Sequence, residues 1–246
     1  MKDFSNYIKY FTEAGVDAFL ENEPSNASVE AKILENGPEK KSSNIVADSK
    51  TLADSAKDLM QLREIVQNFN GCDLKKTAKN TVFSDGSASA EIMFIGEAPG
   101  ANEDEKGIPF CGQSGKLLDN IVRSIGLSRS DVYITNTVFW RPPANRRPTA
   151  AEIKICRPFV EKHIALVKPK LIVLVGSTAV ESLLTAEINM HQLRSEFYNY
   201  TNEYLDSPIK TAVIFHPSYL LRQQYKKKLM WTDMLKLSQF LQNHSS

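Results

Sequence analysis

At 246 residues, 42% of them hydrophobic, the chain is long enough to bury a substantial core. No apolar run approaches the length that spans a bilayer, and no basic-then-apolar leader opens the sequence, which reads as a monomeric cytoplasmic protein without membrane attachment. Thirty basic against 29 acidic residues rule out a globally basic nucleic-acid binder, and Cys72, Cys111 and Cys156 are too few and too scattered for a disulfide framework or a local zinc clip.

Charge is unevenly spread. Residues 1–58 carry 11 acidic and 7 basic side chains, so any anion-binding surface belongs to residues 59–246. Phe4, Ile8, Phe11, Val16, Phe19 and Leu20 form a helix-like stripe, predicting an N-terminal amphipathic helix over 1–20 that packs on the main domain or docks a protein partner. From 21 to 50 the sequence turns polar and aperiodic, with Pro24, Gly37, Pro38 and a charged run, and reads as a flexible linker. The main domain is expected from 51 to 246.

Within it, Leu59, Leu62, Val66 and Phe69 predict a helix. Four nearly continuous apolar runs predict strands buried on both faces, at Ile92 to Gly96, Val132 to Thr135, Leu171 to Gly176 and Thr211 to Phe215. Helical patterns alternate with them. Leu117, Leu118, Ile121, Val122 and Ile125 share one face that stops at Gly126, and Thr149 with Glu152 fits a capping box. A shorter helix opens at Ser177, and Met230, Met234, Leu237 and Leu241 line a terminal one. The alternation predicts an α/β fold, a three-layer αβα domain with a four-stranded, largely parallel central sheet and an N-terminal helical appendage. Ligands of such sheets sit at the carboxyl ends of the strands, so the loops after Gly96, Thr135, Gly176 and Phe215 carry the chemistry.

The first loop reads Gly96-Glu97-Ala98-Pro99-Gly100, then Glu103, Asp104 and Gly107-Ile108-Pro109-Phe110. Its tight turn brings backbone close to a ligand, with Glu97 and Glu103 placed for base or water-positioning work beside an aromatic wall from Phe110. Structural roles stand beside that reading, with Glu97 as a cap and Phe110 in the core. The second loop follows Tyr133-Ile134-Thr135-Asn136. Asn136 can donate and accept along a base edge, and Arg141, Arg146 and Arg147 lie on a proline-stiffened stretch where they face phosphates or simply solvent. The fourth strand delivers His216-Pro217-Ser218-Tyr219-Leu220-Leu221-Arg222, a histidine beside apolar side chains of the kind that wedge into base stacks.

These three blocks, in this order and spacing, resemble the family 4 uracil-DNA glycosylases from about Leu59 to about Leu241. The resemblance implies a DNA repair enzyme that flips uracil from DNA and hydrolyses its N-glycosidic bond without lyase activity. Its substrate would be uracil in single strands or opposite guanine. By the same likeness Glu97, Glu103, Asn145 and His216 serve catalysis. Ala98, Phe110 and Asn136 hold uracil, and Arg141, Arg146, Ser218, Leu220, Leu221 and Arg222 contact DNA. Two features depart from the family. Its four [4Fe-4S] ligand positions read Phe69, Cys72, Trp140 and Cys156, so no cluster or other cofactor is expected. The histidine of a covalently trapping branch is absent from Asn145-Arg146-Arg147-Pro148-Thr149. Two alternatives accompany this reading, a uracil- or damaged-DNA binding module without turnover and a nucleotide hydrolase.

Overall fold

A computed structural model describes residues 38–184 and 190–244. The expected helix at 1–20, its docking role and residues 21–37 of the expected linker lie outside the described residues. The rest of that expected linker is corrected. Residues 38–50 belong to a helix, α1 (Pro38–Ser55), not to a flexible tether. Its inward stripe is Ile45, Ser49, Ala53 and, just past its end, Ala56. Ser49 and Ala53 are fully buried there. Small residues give little hydrophobic signal, yet their size lets the helix lie close to its neighbour. Ile45 reaches the turn at Gly71, where an added Cβ would come within 2.8 Å of its Cγ2.

Helix α2 (Leu59–Asn68) follows, opened by Asp58, whose side chain accepts from the Gln61 N–H. Then come β1 (Asp85–Gly86), β2 (Ile92–Gly96), α3 (Ala101–Lys106), α4 (Gln113–Arg123) and β3 (Tyr133–Asn136). Helix α5 (Ala150–Val167) starts at the expected capping box. The Thr149 hydroxyl accepts from the Glu152 N–H, and the Glu152 carboxylate accepts from the Thr149 N–H. Next are β4 (Leu171–Val175), α6 (Ser177–Leu183), α7 (Met190–Leu193), β5 (Tyr198–Tyr200), β6 (Ile209–Ile214), α8 (Pro217–Arg222) and α9 (Lys227–His244).

Among the described residues the sheet has six strands, in the order β1-β3-β2-β4-β6-β5, which corrects the expected four. The four parallel strands are the ones the apolar runs predict. The two additions, β1 and β5, are antiparallel edges of two and three residues with polar sequence (Asp-Gly, Tyr-Asn-Tyr), too short to leave a pattern. Side chains alternate between two cores. Met93, Ile95, Ile172, Leu174 and Val213 pack with residues of α2, α5 and α6, whereas Ile92, Phe94, Leu171, Val173, Val175 and Ile214 pack with α4, α8 and α9. Helices thus cover both faces.

Register fixes the working end. Gly96 pairs with Asn136, and the Gly176 N–H donates to the Ile214 carbonyl. The four loops that follow these strands therefore meet at one edge.

Because α1 packs into the core, a chain beginning at Thr51 should be less stable than one beginning at Pro38. Loss of Ile45, Val46 and Ser49 burial should lower Tm by roughly 5–10 °C, measured by calorimetry. Equal Tm values would return residues 38–50 to the role of a tether.

Candidate functional site

At that edge lies a cleft of about 910 Å³ lined by Glu97, Ala98, Glu103, Phe110, Asn136, Asn145, Arg146, Gly176, Phe215, His216, Ser218, Leu221 and Arg222, among others. Most of the expected site residues are thereby brought together, although not all in the expected role.

Phe110 has left-handed backbone, φ 50°, which costs a residue with a Cβ roughly 1–2 kcal/mol. The turn is held from outside. Arg129 donates to the Phe110 carbonyl at 3.1 Å and the Pro109 carbonyl at 2.5 Å, and is itself held by Asp85 and Asp119. Two glycines make room. A Cβ at Gly115 would sit 1.7 Å from the Phe110 carbonyl oxygen, and one at Gly96 would strike the Phe110 ring at 2.5 Å. The ring is buried, and its centroid lies 5.6 Å from that of His216.

Glu103 is engaged by backbone through both oxygens. One oxygen accepts from the Gly100 N–H at 3.1 Å, and the other accepts from the Cys111 and Gly112 N–H groups at 3.0 and 2.8 Å. It clamps both ends of the Phe110 loop while lining the cleft, a positioning part that stands beside the one expected of it in activating water. Glu97 is differently placed. Its main-chain carbonyl accepts from the Thr137 hydroxyl, while one carboxylate oxygen accepts from the Thr178 hydroxyl at 2.5 Å.

Asn136 is 2% exposed, and its Oδ1 has no partner among the described residues. That atom would lie 2.6 Å from a Cβ on Gly96, the same point the Phe110 ring crowds. An acceptor and an aromatic face thus meet at one spot in the cleft. Ala98 lines the cleft too and packs against the core beneath it.

His216 precedes α8. Its Nδ1 accepts from the Ser218 N–H at 3.2 Å and lies 2.7 Å from the Ser218 hydroxyl. Burial, with Arg222 adding to it, holds its pKa down to about 4 against an opposing pull from Glu103, so the ring is neutral at pH 7. With Nδ1 accepting, the ring proton sits on Nε2, which is left to donate. Behind it, Phe215 stacks beneath the Arg194 guanidinium, 3.9 Å from the ring centroid, and Arg194 is pinned by Asp233 in a buried ion pair.

Of the residues expected to contact DNA, Arg146, Ser218, Leu221 and Arg222 line the cleft, and one of the others is corrected. Leu221 is 37% exposed, but Leu220 is fully buried in the core with Leu118 and Met230 and is no surface wedge. Arg222 is exposed at the rim. Asn145, also left-handed at φ 56°, is exposed and accepts from Arg141 Nε at 2.7 Å. Arg146 is bound through two nitrogens to Glu152, at 2.6 and 2.8 Å. Arg129, Gly115, Thr178 and Arg194 do not stand out in the sequence. Of these only Thr178 carries a signal, lying just beyond the strand that ends at Val175.

The four cluster positions are all buried in one core. Phe69 stacks on Trp140 with centroids 6.4 Å apart and meets Phe159 edge-on at 5.0 Å. The Trp140 indole N–H donates to the Thr81 hydroxyl at 3.0 Å. The thiols of Cys72 and Cys156 act on one another: the neighbouring Cys156 thiol lowers the pKa of Cys72, and Cys72, with burial, pushes that of Cys156 up. Two thiols, a phenyl and an indole are not a donor set for a [4Fe-4S] cluster, and no group of three or more His, Cys, Asp or Glu suited to a metal occurs among the described residues. Nor is any helix among them long and apolar enough to cross a membrane.

Residues 83–236 match the Uracil DNA glycosylase superfamily. Similar proteins include type-4 uracil-DNA glycosylases from three archaea. That of Saccharolobus solfataricus is 40% identical over 182 residues, covering 72% of this chain and 83% of the relative. That of Archaeoglobus fulgidus is 35% identical over 193 residues, 77% of this chain and 92% of the relative. That of Pyrobaculum aerophilum is 34% identical over 168 residues, 68% and 86%. The matched span takes in Phe110 on its turn, Asn136 at its strand end and His216 before its helix, and on that footing the chain belongs to the uracil DNA glycosylase superfamily, among its type-4 members.

Proposed function

We propose that this protein excises uracil from DNA by hydrolysing the bond between base and deoxyribose, leaving an abasic site. The observation that carries the reading is the buried, partnerless Oδ1 of Asn136 beside the Phe110 ring. Such an acceptor costs about 1–3 kcal/mol while unmet. A flipped uracil would meet it with its N3–H while stacking on Phe110, a contact worth roughly 1–3 kcal/mol.

Charge then directs the reaction. As the bond lengthens the sugar becomes cationic and the departing uracil anionic. Glu97 has one carboxylate oxygen held by Thr178, leaving the other to orient water and face the sugar cation. His216 offers Nε2–H to the uracil oxygen that gains charge, as a neutral donor that need not transfer its proton. No lysine lines the cleft among the described residues, and we read the reaction as hydrolysis without the β-elimination an amine nucleophile would bring. Leu221 would fill the gap left by the extruded base, in single strands or at G·U pairs. We also propose that the chain holds no iron–sulfur cluster, its place being taken by Phe69 and Trp140 packed over the two thiols.

Glu97→Ala and His216→Ala should each cut single-turnover uracil release by about 10²–10⁴-fold, the range for a lost acid–base or charge-stabilising group, with DNA affinity little changed. Unaltered rates in both would overturn the roles given to Glu97 and His216, whereas no uracil release by the native protein would leave a binding module as the better reading. Leu221→Ala should lower kcat/KM on duplex G·U by roughly tenfold and on single strands much less, since only the duplex must be opened. Leu220→Ala should instead cost stability, about 2–5 kcal/mol. If the two leucines exchange these phenotypes, the wedge is misassigned. Protein purified without oxygen should be colourless and free of stoichiometric iron, whereas about four irons per chain would restore the cluster.

A further inference from the structure

We infer that Thr178 is a positioning residue for Glu97, its hydroxyl oriented by Arg147 so that one carboxylate oxygen is held and the other is left to the cleft. The inference deepens the reading of Glu97 as the group that orients the attacking water, and rests on it.

Hydrogen-bond chemistry gives the chain its direction. Arg147 Nε donates to Thr178 Oγ1 at 2.9 Å, and guanidinium nitrogens only donate. With that bond in place, the single hydroxyl hydrogen goes to Glu97 Oε2, 2.5 Å away. Thr178 is 1% exposed, so water does not compete for either bond. Arg147 is fixed in turn by an ion pair with Glu181, one turn further along α6, which spreads its guanidinium across the start of that helix. The carbonyl of Glu97 is already tied to the Thr137 hydroxyl at 2.6 Å and the Val138 N–H at 3.3 Å. Backbone and one side-chain oxygen are thereby immobilised.

An interposed hydroxyl differs from a direct ion pair in a way that suits this chemistry. Arg147 bound straight to Glu97 would occupy both oxygens through its fork and screen the carboxylate from a cationic sugar. Through Thr178 it fixes one oxygen only, and the guanidinium itself is taken up by Glu181. The three participants come from the loop after β2, the proline-stiffened loop before α5 and the start of α6, so their meeting depends on the whole sheet edge.

The test measures single-turnover uracil release at saturating DNA, affinity for an abasic oligonucleotide and Tm. Thr178→Val, nearly isosteric and without the hydroxyl, should slow release by about 10- to 100-fold, as misplaced catalytic groups do, with DNA affinity and Tm close to native. Thr178→Ser should restore the rate to within about threefold, since it keeps the donor. In a Glu97→Gln background Thr178→Val should add less than about twofold, because the two residues act as one unit. Should Thr178→Val lower Tm, Arg147→Met at the half-exposed end of the relay serves in its place, with an expected loss of about 3- to 10-fold for a hydroxyl freed to rotate. A native rate in Thr178→Val with a slow Glu97→Gln enzyme overturns the relay while leaving Glu97 its role, as does a loss that simply adds to that of Glu97→Gln. A fully active Glu97→Gln enzyme overturns both.

Discussion

The left-handed turn at Phe110 is the constraint on which the cleft depends. A phenylalanine at φ 50° is unfavourable by itself, and what holds it is one guanidinium, Arg129, bound to two successive carbonyls and to two carboxylates. The ring then lies over the last residue of β2, at a spacing only glycine allows, and within reach of the partnerless Asn136 oxygen. The backbone beyond the turn presents two N–H groups to Glu103, which closes the loop on its other side. An acidic side chain that looks chemical in sequence is thus also engaged in building the wall, while Glu97 is held through one oxygen at the cleft's edge.

The far side of the cleft is built on a similar plan. Ser218 supplies a backbone N–H to His216 Nδ1 at the first turn of α8, fixing which ring nitrogen carries the proton. Two residues on, the same short helix sends Leu220 into the core and Leu221 outward. The wedge is therefore mounted on an anchored element, and little order need be created when DNA arrives.

How much of this is legible in the sequence depends on range. The parallel strands announce themselves because both faces are buried and their sequences are nearly continuous in apolar residues, and the ends of those strands locate the loops. Residues 38–50 read as a linker because Ser49 and Ala53 bury a face without looking hydrophobic, and the edge strands go unseen because two or three polar residues carry no period. Leu220 and Leu221 cannot be separated without knowing which side of α8 meets the core. Arg129, Thr178 and Arg194 act through partners far away in sequence. The Phe110 carbonyl is 19 residues from Arg129, and Glu97 is 81 residues from Thr178. The contact of Cys72 with Cys156 is readable only from the family's spacing, since nothing in the long stretch between them hints at it.

The arginines of the rim carry a consequence for how such a surface would meet DNA. Arg146 and Arg147, the obvious candidates for phosphate contacts, already have carboxylate partners in Glu152 and Glu181. A phosphate approaching either would exchange one anion for another instead of claiming a bare cation. Few condensed counterions would be set free by that exchange, so the entropic pull that makes many proteins cling to any stretch of duplex would be weak here. At these two positions the hold on ordinary sequence would be light, and discrimination would fall to the point where a base enters the pocket.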